Sequence, residues 1–152
     1  MSSKSRSSAT DRKARLTGVL ERLYDKYNRP RFIPPDPLQF VYKYKDPADR
    51  EIVAFLASAL AYGRVRQIEK SLTDLLARLC DHPAEFVRHF NRSKRKKLTD
   101  FKHRFNTGDD IADLLALFNL ILKHHGSLEN FFLLGYRRDH ENVIPALDRF
   151  CD

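Results

Sequence analysis

The 152 residues are 42% hydrophobic and 32% charged, enough for one packed domain and too apolar for wholesale disorder. Two cysteines, Cys80 and Cys151, exclude a disulfide framework, an iron–sulfur cluster and a Cys-rich zinc site. No apolar run reaches the ~18 residues of a membrane span and no apolar signal segment opens the chain, so no membrane partner and a cytoplasmic location are expected.

The formal charge is +8, and it is concentrated. Residues 88–104 carry eight Lys or Arg against Asp100 alone. Residues 1–15 carry five against Asp11. Two basic patches of this kind point to a polyanion.

Residues 1–10 are rich in serine and basic, and read as a disordered tail. A helical domain, incomplete at its C-terminus, is expected over 11–152. From Asp11, Leu16, Val19, Leu20 and Leu23 recur at helical spacing up to Asn28-Arg29-Pro30. Residues 31–37 contain three prolines in four positions, which makes an extended connector. Asp36-Pro37 and Asp46-Pro47 each combine a capping acid with a first-turn proline. The helix after Asp46 carries an apolar stripe of Ile52, Phe55, Leu56, Ala59 and Leu60. Ala54, Ala57, Ser58 and Ala61 leave little bulk elsewhere, so this helix is expected to be buried nearly all round. Tyr62-Gly63-Arg64 breaks it, and a second helix follows with Ile68, Leu72, Leu75, Leu76 and Leu79.

Asp81-His82-Pro83 opens a short helix, and the basic run Arg92-Ser93-Lys94-Arg95-Lys96-Lys97 comes after it. Thr107 to Asp110 starts a strong helix that closes at His124-His125-Gly126. Ser127 starts a short apolar helix, and Val143, Leu147 and Phe150 mark the last. No segment alternates with period two. The expected class is all-α, a bundle of about six to eight short helices.

No catalytic set can be assembled. Asp109 and Asp110 sit where a helix begins, and His124 and His125 where it ends; both placements suit the helix dipole. No metal site and no cofactor are expected. Cys80 reads as a small buried hydrophobe. The basic run is the strongest signal: Arg92, Lys94, Arg95, Lys96, Lys97 and Arg104 would neutralise phosphates. Phe90, Phe101 and Phe105 interleave with them and are expected to face the core. The corner Tyr62-Gly63-Arg64, with Arg66, adds an aromatic, a flexible residue, two cations and the free N–H groups of a helix start.

The run from Asp49 to Arg64 resembles an uncharacterised bacterial protein family. Pro35 to Tyr42 upstream, and Arg104-Phe105-Asn106-Thr107 followed by Asp109 or Asp110, continue the likeness. That family looks distantly similar to helix-hairpin-helix DNA glycosylases, in which a buried helix ends at a corner near the damaged base pair. Glu51 to Ala61, the corner at Tyr62-Gly63-Arg64 and Val65 to Leu79 match that layout. Glycosylases often carry a Gln at the corner, where this chain has Tyr62, Gly63 and Arg64. Family members are longer, and neither the phosphate-binding hairpin nor the catalytic acid matches any residue here. The resemblance therefore implies the N-terminal part of such a fold, binding nucleic acid, with DNA the expected form, without its catalytic half. Two alternatives stand beside this expectation: base excision by a longer parent form, and a non-catalytic interaction module docking a C-terminal domain or partner helix.

Overall fold

The computed structural model describes the backbone of residues 3–152 and the side chains from Asp11 onward. Two compact units part between Pro34 and Pro35, inside the proline-rich connector. The first holds α1 (Ser3–Tyr27) and a single 3-10 turn at Pro30–Phe32. Tyr27 and Phe32 pack at 5.3 Å across that turn, where Pro30 supplies the preset φ of a first-turn residue. Helix α1 begins at Ser3 rather than at the expected Asp11. The expected disordered tail falls on residues 1–10, whose side chains lie outside the described set.

The second unit contains α2 (Leu38–Val41), α3 (Pro47–Ala59), α4 (Val65–Leu79), α5 (Pro83–Arg88) and α6 (Arg92–Lys96). A hairpin of β1 (Lys102–His103) and β2 (Asn106–Thr107) leads into α7 (Gly108–His125), α8 (Leu128–Leu133) and α9 (Ile144–Cys151). The fold is all-α, with nine α-helices among the described residues. The hairpin was not expected. Two-residue strands are too short to show a period.

Local grammar accounts for most helix starts. Asp46 accepts from the N–H groups of Ala48 at 2.8 Å and Asp49 at 3.3 Å, with Pro47 behind it. Thr107 and Asp110 form a reciprocal capping box on α7. Helix α5 differs. Its N-cap is His82, which makes no side-chain cap, and Asp81 does not serve either. The N–H of Ala84 instead donates at 2.8 Å to the buried Asp49 of α3.

One core joins α3, α4, α5 and α7. Ile52 and Leu56 of α3, with its C-cap Leu60, meet Leu72, Leu75 and Leu79 of α4, and Val87, Leu98, Leu115 and Phe118 are also buried. Phe55 meets Phe118 edge-on at 4.8 Å. Helix α3 is not buried all round as expected. Ala54, Ser58, Ala59 and Ala61 are exposed, because α2 and α8 flank that side without covering it. Cys80 is exposed, correcting its expected burial. It ends α4 with φ +63°, outside the helix and away from the core.

Candidate nucleic-acid interface

The turn after α3 is built on Gly63, with φ +105°. A side chain there would be strained, and its Cβ would stand 2.9 Å from Cδ of Arg104. The glycine thus lets two distant segments touch: the α3–α4 corner and the tip of the β1–β2 hairpin. The hairpin pairs Lys102 with Thr107 and His103 with Asn106, leaving Arg104 and Phe105 at its tip. Arg104 adopts φ +53°, a strained value for a side-chain-bearing residue.

A buried polar network locks corner to hairpin. His103, fully buried, bonds the Tyr62 carbonyl through Nε2 at 3.2 Å and Ser71 Oγ through Nδ1 at 2.9 Å. A carbonyl can only accept, so Nε2 carries a hydrogen; in the neutral ring Nδ1 then accepts from the Ser71 hydroxyl. That hydroxyl accepts in turn from Gln67 Nε2 at 3.1 Å. In return the Tyr62 hydroxyl reaches the His103 carbonyl at 3.2 Å and the Asn106 side chain. The Tyr62 and His103 rings stand edge to face at 4.8 Å. No buried side-chain polar atom of this network is left without a partner, which holds the corner and the hairpin in one register.

What this lock presents to solvent is an aromatic and several cations. Phe105 is 82% exposed. Phe101 is buried and Phe90 half-buried, as expected, but Phe105 departs from its expected core placement because the tip of a tight hairpin points away from the bundle. The Arg104 guanidinium lies 5.5 Å from the Phe105 ring and 5.8 Å from the Tyr62 ring. Arg64 and Arg66 are exposed and make no ion pair among the described residues.

The basic run splits into two sets. Asn91 caps α6 by accepting from Ser93 at 2.9 Å and Lys94 at 3.1 Å. Lys94 turns inward, donating to the Phe86 carbonyl at 2.9 Å and lying 4.8 Å over the Phe86 ring. Burial lowers its pKa. Arg95 pairs with Asp113 at 2.6 Å and Asp109 at 3.0 Å, and those bonds raise its pKa. Both residues therefore serve the fold directly. Arg92, Lys96 and Lys97 are exposed and unpaired among the described residues. The run's end is anchored by Arg78, which bonds the Lys97 carbonyl at 2.8 Å, Asp74 at 3.1 Å and Asp100. It meets the hairpin base at Gly108, where a Cβ would fall 1.7 Å from the Leu98 carbonyl oxygen.

Of the corner residues read from the sequence, Arg64 faces solvent with its charge unspent, while Tyr62 and Gly63 position their neighbours. Two participants carried no signal of their own. His103 sits among basic residues with no motif to single it out, and Phe105 is expected to face the core. No group of three or more His, Cys, Asp or Glu among the described residues is placed to hold a metal. No described helix is long and apolar enough to cross a membrane.

No curated protein and no solved structure matches the chain. The profile of a protein family of unknown function, DUF2400, matches residues 36–152, beginning within two residues of the boundary between the units. That is well over half of the chain, and the chain belongs to the DUF2400 family.

Proposed function

We propose that the second unit binds nucleic acid through the corner, the hairpin tip and the outer part of the basic run. The observation that carries this reading is Phe105, a large apolar ring held 82% exposed beside Arg104 on a hairpin locked by buried hydrogen bonds. Exposure of such a ring is costly in water, and an exposed aromatic next to cations is the chemistry of base stacking combined with phosphate neutralisation. Arg64, Arg66 and Arg104 would contact phosphate near the stacked base. Arg92, Lys96 and Lys97 would extend the electrostatic footprint. Lys94 and Arg95 would act on affinity only through the shape of α6.

The distant likeness to helix-hairpin-helix glycosylases favours DNA over RNA. Base excision by a longer form rests on that likeness alone, and no residue of this chain is assigned a catalytic role in it. The interaction-module alternative predicts no nucleic-acid affinity.

The test is binding to labelled single-stranded and duplex DNA and RNA across a salt series. Binding should weaken steeply with salt. Arg64→Glu should flatten the log–log salt slope by about one unit or more. Phe105→Ala should lower affinity by about 1–3 kcal/mol and leave the slope unchanged, since it removes stacking and no charge. Salt-independent binding, or none at low salt, would overturn the proposal.

A further inference from the structure

A second surface, separate from the cationic one, has its own chemistry. The outer stripe of α3 places Glu51, Ala54 and Ser58 at i, i+3 and i+7, with Ala61 just beyond the helix. Its small residues Ala54 and Ser58 are the floor of a trough, with Glu51 at the edge. On one side a cleft of about 260 Å³ is walled by Leu38 and Val41. On the other, a cleft of about 400 Å³ is walled by Phe132, Leu147 and Phe150. A third, of about 550 Å³, continues it past Ala48 and Ser127. All three share Ala54, so the trough is continuous along two turns of α3, about 10 Å.

Three features select the occupant. The floor is small, so a helix axis can approach to about 8 Å without steric conflict. It is also internally satisfied: the Ser58 hydroxyl donates to the Phe55 carbonyl at 2.8 Å, which leaves an apolar partner stripe as the best match. The rim is acidic in a chain of net charge +8. Asp36, Glu51 and Glu129 line it, against Arg50 alone. Glu51 spends one oxygen on the Glu129 N–H, at 2.6 Å, and a carboxylate has capacity for further donors.

We propose that this trough is a docking site for an amphipathic helix of a partner protein, with its apolar stripe on Ala54 and Ser58 and its Lys or Arg flanks on the acidic rim. The inference is independent of the nucleic-acid reading, because none of the cations assigned there lines the trough.

The probe is a labelled synthetic helix of roughly 18 residues, about five turns, with Leu and Ala on one face and Lys on the flanks. Its counterpart carries Glu for Lys. Binding to the full chain is followed by fluorescence anisotropy at about 0.15 M salt, where distant charges are screened. The lysine peptide should bind at least about tenfold more tightly than the glutamate peptide. Ala54→Trp and, separately, Ser58→Trp should each weaken it by at least about tenfold by filling the trough. Both positions are exposed, and circular dichroism checks that each variant folds. Glu129→Lys should narrow the gap between the two peptides. No binding by the lysine peptide, equal binding by both peptides, or indifference to both tryptophans would overturn the proposal. So would a dimer of the chain that Ala54→Trp abolishes, since a second copy would then be the occupant.

Discussion

Asp49 shows how one residue can carry a local signal and a different tertiary role. In the sequence it is a first-turn acid of α3, suited to the helix dipole. In the structure it is 5% exposed and caps a different helix, accepting from Ala84 while His82 Nδ1 stands 3.4 Å away. Asp49→Ala leaves the buried Ala84 N–H without a partner, so chemical denaturation should report a loss of about 1–3 kcal/mol. Asp81→Ala should cost much less, since that acid caps nothing. Gly63 is the complementary case. Its φ of +105° and the 2.9 Å approach to Arg104 make Gly63→Ala both strained and crowded. We expect about 1–3 kcal/mol of destabilisation, and a shift in the amide resonances of Arg104 and Phe105 before any unfolding.

At the scale of elements, most caps were readable, that of α5 excepted, and the ties between elements were not. The sequence places a helix start at Thr107 to Asp110, and the structure adds that Thr107 and Asp110, three apart, form a capping box there. The Thr107 backbone N–H and hydroxyl hold the Asp110 carboxyl below the usual carboxylate range. The Arg78 guanidinium does the same for Asp100. A carboxyl whose pKa is depressed by folding contributes stability that is fully present above its unfolded value, ~3.9, and is lost as pH falls through the folded value. The melting temperature should therefore drop as the pH falls below about 4, and Asp110→Asn should flatten that drop. A profile identical in the variant would remove Asp110 from the account. The ties are a different matter. Arg95 to Asp109 and Asp113 spans 14 and 18 residues, and Arg78 to Asp100 spans 22. Nothing in a run of lysines and arginines marks which of them turn inward to hold α6 and which face solvent.

At the scale of the molecule, a single core sets the stability of the second unit. Phe118 is among its largest buried side chains and packs on Phe55. Phe118→Ala should cost about 3–5 kcal/mol, a large share of the roughly 5–15 kcal/mol that a domain possesses. A drop in melting temperature of under a few degrees would mean that the cluster repacks around the gap. The same scale separates the two surfaces of this unit. Cations and Phe105 gather at the corner and hairpin, while acids rim the trough along α3.

Helix content, order and most boundaries were legible because periodicity and capping act within a few residues of each other. The apolar stripes of α4 and α7, and that of α3 apart from the exposed Ala59, were therefore found in place, as was the proline-rich segment where the two units part. Solvent exposure was less legible, because it depends on what the rest of the chain places nearby. Ala54 and Ser58 read as buried until α2 and α8 were seen to stand beside α3 without covering it. Phe105 read as core until four hairpin residues, too few to show a period, carried it outward. His103 became the organiser of the candidate interface only when Tyr62 and Ser71, 41 and 32 residues away, closed around it. Local chemistry in the sequence determined which segments are helices; the long-range hydrogen bonds and packing decided which of their side chains meet solvent, and therefore which can meet a partner.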